Sequence, residues 1–120
     1  MFKFRGQRVD NKEWIEGGLV YDNTDNTYFV YSSFEYGEEV IPETLSMSTG
    51  QLDKNKEMIF GSFEVDGKMS KGGDVVSGID GFGKRKEVGV RFLDGAFYPL
   101  CEGEFYWSDI EIIGKQSEAK

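Results

Sequence analysis

The chain has 120 residues, with 14 Lys and Arg against 22 Asp and Glu, a net charge of −8 and no histidine. A chain this long buries roughly 60–70% of its unfolded surface, enough for one domain with a core of its own. The missing histidine excludes Ser-His, Cys-His and His-metal chemistry, and the lone Cys101 excludes an intrachain disulfide or a cysteine-cluster zinc site.

Aromatic residues make up 15% of the chain, too many for a disordered acidic segment. No apolar run approaches the ~18 residues of a membrane helix. The opening Met1-Phe2-Lys3-Phe4-Arg5 is followed by no apolar stretch of the kind a signal peptide needs. A single thiol suits a reducing interior, so a cytoplasmic location away from membranes is expected.

The periodicity is mostly two. Phe2 and Phe4 alternate with Lys3 and Arg5. Tyr28, Val30, Phe34 and Tyr36 hold even positions of one run, Val88, Val90 and Phe92 of another, and Ile110 and Ile112 of a third. Such alternation predicts half-buried strands. Polar residues 22–26 separate two of these runs as a hairpin loop. Asp94-Gly95 has the residues of a tight type I′ turn, and Asp66-Gly67 closes another hairpin after the run 58–65. The expectation is a mainly β fold of small curved sheets or barrel-like elements, built from antiparallel hairpins. Little helix is expected beyond a short turn near 42–45. Residues 1–114 read as a single domain, with a loose Gly- and Lys-rich loop at about 66–87 that includes a short strand at 74–77. Residues 115–120 read as a frayed polar tail.

Few motifs carry chemistry. Gly78 to Lys84 has the spacing of a phosphate-binding loop, but Arg85 stands where Ser or Thr would hold magnesium, and Asp80 inside the loop repels phosphate. Asp53, Asn55 and Glu57 have calcium-loop spacing, but the sixth position is Met58 where glycine is required. Glu38, Glu39, Glu43, Glu102 and Glu104 are candidates for a carboxylate hydrolase, although spacing alone brings no two of them together. No catalytic residue, metal site or cofactor is assigned.

The aromatic set is more informative. Tyr28, Tyr31, Phe34, Tyr36, Tyr106 and Trp107 are candidate interface residues. In a strand Tyr106 points away from Phe105 and Trp107, so both faces carry rings. The set reads as core, as a subunit interface or as a base-stacking platform, and the glutamates around it oppose the last. Lys68, Lys71, Lys84, Arg85 and Lys86, with Arg91, form a candidate basic patch. Residues 65–91 carry +2 and the rest of the chain −10.

Arg5, then Trp14-Ile15-Glu16-Gly17, Ile41-Pro42-Glu43-Thr44, Thr49-Gly50, Asp53-Lys54-Asn55, Ile59-Phe60, Gly73-Asp74-Val75-Val76 and Glu111-Ile112-Ile113-Gly114, taken in order, resemble the YopX family. The resemblance covers most of the chain. Departures are Gln51 after Thr49-Gly50, Lys56 after Asn55, and an insertion at about 61–71. The resemblance implies a β-rich protein of phages or prophages, acting as a homo-oligomer in the host cytoplasm, with no catalytic residues to carry over. Pro42, Gly50 and Gly73 read as bend and turn residues, Asp53 and Asn55 as a capped turn, and Trp14 as a core or interface anchor. The expected function is a non-enzymatic binding or structural module whose partner is itself, or else an unknown phage or host protein. The alternative is a nucleic-acid-interacting or DNA-mimicking regulator.

Overall fold

The computed structural model describes residues 3–100 and 107–118. Strands β1 (Phe4–Gln7), β2 (Trp14–Asp22), β3 (Thr27–Ser33) and β4 (Tyr36–Val40) form an antiparallel meander. A 3-10 turn (Pro42–Thr44) leads to β5 (Ser46–Leu52) and β6 (Met58–Gly61), which extend the sheet beyond β1 in the order β4-β3-β2-β1-β5-β6. Strands β7 (Glu64–Val65) and β8 (Lys68–Met69) make a small hairpin. Strands β9 (Asp74–Ile79) and β10 (Arg85–Gly89) join the last strand, β13 (Ser108–Lys115), in a second sheet of order β10-β9-β13. Between them lies the hairpin β11 (Arg91–Leu93) and β12 (Ala96–Tyr98).

The mainly β expectation holds, with antiparallel hairpins and, among the described residues, only short 3-10 turns besides. The curved sheets do not go on to close into a barrel among the described residues. The first sheet does curl: Arg8 bridges Val40, Val9 N–H donates to Glu39 O, and Ile41 N–H donates to Gln7 O. At its other edge β6 turns toward the second sheet instead of meeting β4. Ser62 N–H donates to Val90 O, and Ser62 O accepts from Phe92 N–H.

Among the described residues, two small cores result. Val30, Val40, Leu45 and Val65 make the first, with Ile15, Leu19 and Tyr28 packed against them. Ile59, Val76, Val90 and Ile110 make the second, backed by Val88, Phe97, Trp107 and Ile112. Each fully buried aliphatic side chain contributes roughly 1.5–3 kcal/mol.

The turns follow their residues. Asp66-Gly67 and Asp94-Gly95 both hold the paired positive φ of a type I′ turn, at 51° and 80° and at 49° and 86°. Ile41 is extended ahead of Pro42, whose fixed φ opens the 3-10 turn. Three expectations change. The run 88–93 breaks at Val90, which is wholly buried and donates its N–H to Asp74 O. The segment 66–87 is not one loose loop: it contains β8 and all of β9. Lys115 closes β13, and Gln116 donates its backbone N–H to Gly73 O and its side-chain amide to Val90 O, which anchors the start of the tail.

Candidate functional site

The two sheets meet at Arg5, in the middle of β1. Its Nη2 donates to Gly72 O at 2.8 Å and to Asp74 Oδ1 at 2.9 Å. The guanidinium lies 4.3 Å from the centre of the Phe60 ring and 5.2 Å from that of Trp14. Lys115 approaches the same indole at 5.0 Å. Arg5, Glu16, Glu57, Phe60, Asp74 and Lys115 line a cleft of about 310 Å³ at this junction. Trp14 therefore carries two cations on its ring. Gly73, expected at a turn, is instead a close-approach residue: a Cβ there would collide with the backbone N of Ser62.

Three buried aspartates organise the loops around this junction. Asp74 Oδ2 accepts Phe60 N–H at 2.8 Å. Asp53 accepts the N–H groups of Asn55 and Glu57 with one oxygen and of Ile112 with the other. Burial opposes its ionisation, but those three donors outweigh burial and hold its carboxyl below the usual range. Both oxygens serve the backbone, which accounts for the calcium-like spacing without a cation. Asp80 does the same in the Gly78–Lys84 loop. Its Oδ1 accepts Phe82 N–H and Lys84 N–H, and its Oδ2 lies 3.0 Å from Lys86 Nζ. The loop's N–H groups thus enclose the protein's own carboxylate where a phosphate would sit. The Lys84 N–H, the Lys86 ammonium and the Phe82 N–H together hold the Asp80 carboxyl below its ordinary value.

The predicted basic patch is divided. Lys68 and Lys71 line a cleft of about 470 Å³ beside Pro42 and Glu43. Arg85 donates to Asp109 at 2.6 Å and to Ser77 Oγ at 2.9 Å. This contact with Arg85, aided by Lys54, lowers the pKa of Asp109. Lys86 faces Asp80, and Arg91 stacks on Tyr98 at 5.4 Å. Of the carboxylates considered for hydrolysis, Glu38 lies 3.4 Å from Arg8, Glu39 and Glu43 are exposed, and Glu102 and Glu104 fall outside the described residues.

The predicted aromatics also separate. Tyr28 packs on the first core, with its ring 4.8 Å from that of Tyr21 and its hydroxyl donating to Asp66 at 3.0 Å. Burial, reinforced by Asp66, raises its pKa. Trp107 packs on the second core. Tyr106 lies outside the described residues. Tyr31, Phe34 and Tyr36 are exposed, at 36%, 97% and 65%, and all three belong to the β3–β4 hairpin. Tyr31 lies over its cross-strand partner Gly37, where a Cβ would collide with the ring. A bulge between Tyr31 and Ser33 shifts the register, so Phe34 leaves the strand and stands at the tip.

Phe82 was missed in the sequence. It is 73% exposed at the β9–β10 tip, and the signal for it was an aromatic residue set between Gly81 and Gly83. Compared with known protein families, with curated proteins and with solved structures, the chain has no match.

Proposed function

We propose that this chain is a non-enzymatic accessory protein of the phage or prophage type, with a YopX-like sequence. It works in the host cytoplasm as a homo-oligomeric binding or structural module. The observation that carries this reading is Phe34, 97% exposed on a hairpin that also presents Tyr36 at 65%. Large aromatic side chains held in water at one place are the usual anchors of protein interfaces. The Tyr31 ring lying over Gly37 braces the hairpin, so little ordering remains to be done on association. The non-enzymatic part is supported by the buried aspartates, whose oxygens are committed to backbone N–H groups and to Arg5 and Lys86.

The test is sedimentation of the wild type and of Phe34→Ser/Tyr36→Ser, alongside thermal melts. The variant should dissociate while its melting temperature holds. An oligomer untouched by both changes would sink the reading. The nucleic-acid alternative has less support, because Arg85 and Lys86 are engaged by Asp109 and Asp80.

A further inference from the structure

The two most exposed large apolar side chains among the described residues are both phenylalanines at hairpin tips. Phe34, on β3–β4, is 97% exposed, and Phe82, on β9–β10, is 73% exposed. The hairpins belong to different sheets. Their charges are of opposite sign. Residues 33–39 contain Glu35, Glu38 and Glu39 and no basic residue, whereas residues 81–86 contain Lys84, Arg85 and Lys86 and no acidic one. Some of this charge is already matched, Glu38 with Arg8, Arg85 with Asp109 and Lys86 with Asp80. Glu87, just past the basic run, offsets it in part. Among the described residues, Glu35 and Glu39 on one tip and Lys84 on the other have no ion-pair partner.

We infer that the β3–β4 tip of one copy docks on the β9–β10 tip of another, with Phe34 against Phe82 and Glu35 toward Lys84. The inference rests on the self-association proposed above and adds its geometry. A two-fold contact of β3–β4 tips would set Glu35 and Glu39 against their own copies, at an electrostatic cost. Pairing unlike tips removes that cost and buries both rings. Both tips are preformed. Asp80 ties down the Phe82 and Lys84 N–H groups, and Tyr31 covers Gly37. Where each tip meets a different neighbouring copy the contact is heterologous, and it propagates to a ring if the rotation closes and to a filament if it does not.

The experiment is sedimentation velocity on full chains of the wild type, Glu35→Lys, Lys84→Glu and the double reversal, at low and physiological salt, with thermal melts of each. Each single reversal should weaken association about five-fold and the double should recover it, since exposed ion pairs have effects of this order. Wild-type association should weaken as salt rises, whereas a like-charged two-fold contact would strengthen. Where a reversal lowers the melting temperature, Glu35→Gln and Lys84→Gln take its place, and each should flatten the salt dependence. If folded single variants associate like the wild type, or the double fails to recover, the tip-to-tip contact is wrong. Loss of association in Phe34→Ser would then still uphold the broader reading. A wild type that stays monomeric at every concentration overturns both.

Discussion

Asp74 receives Arg5 Nη2 on one carboxylate oxygen at 2.9 Å and the Phe60 N–H on the other at 2.8 Å, so one side chain of the second sheet holds two strands of the first. Both partners are buried, with 9% and 2% of their side chains exposed. Removing either one leaves an uncompensated charge at a buried position. Asp74→Leu and Arg5→Met should each cost about 3–5 kcal/mol by urea unfolding. The pair Arg5→Met/Asp74→Leu should cost less than the sum of its single changes. A strictly additive result would deny that the two residues act as one unit.

The Tyr31 ring occupies the space that a side chain at Gly37 would fill. Gly37→Ala should therefore destabilise the protein by about 1–3 kcal/mol, the cost of overpacking. With the ring removed in Tyr31→Ala/Gly37→Ala, the new methyl has room, and most of that cost should vanish. Chemical denaturation of the three variants decides this.

Asp53 links the turn after β5 to β13, and its folded pKa lies below its unfolded one. As pH falls, the unfolded state takes up the proton first. The stabilisation is therefore complete above the unfolded value of about 3.9 and is lost as pH drops through the folded value. Urea midpoints should be flat near neutrality and fall below about pH 4. Asp53→Asn should be less stable at pH 7 and should show a shallower acid decline. Parallel curves for the two proteins would exclude Asp53 as a source of acid sensitivity.

Asp80 is the internal anion of the β9–β10 loop. In Asp80→Ala the amides of Phe82 and Lys84 lose their acceptor, and their hydrogen exchange should quicken while that of Val76 in the core stays slow. Unchanged exchange at 82 and 84 would mean that the glycines alone shape the loop.

The hairpins were legible because their turns are local: Asp66-Gly67 and Asp94-Gly95 specify their own φ angles. What depends on distant partners was not legible. Alternation with Phe2 and Phe4 sets Arg5 among outward positions, yet it is buried, because its carboxylate partner lies 69 residues away. The period-two run grouped Phe34 with Tyr28 and Val30, and a single bulge broke the parity. The Gly78–Lys84 stretch read as part of a loose loop, whereas it closes the β9–β10 hairpin around Asp80, which was recognised as hostile to phosphate. That its carboxylate fills the loop follows from backbone directions, which residue types do not encode.

The curl of the first sheet also bears on how such a protein stays out of cross-β aggregates. An unprotected outer strand is a template for foreign strands. Here Val9 N–H is spent on Glu39 O and Ile41 N–H on Gln7 O, which covers much of β4. On the opposite side, Asp74 takes up the Phe60 N–H of β6 and Val90 takes up that of Ser62 just beyond it. Main-chain groups at both edges of this sheet that a foreign strand would need are thus already engaged within the chain. Self-association of the kind proposed would then fall to side chains at the hairpin tips, which can be made selective and reversible.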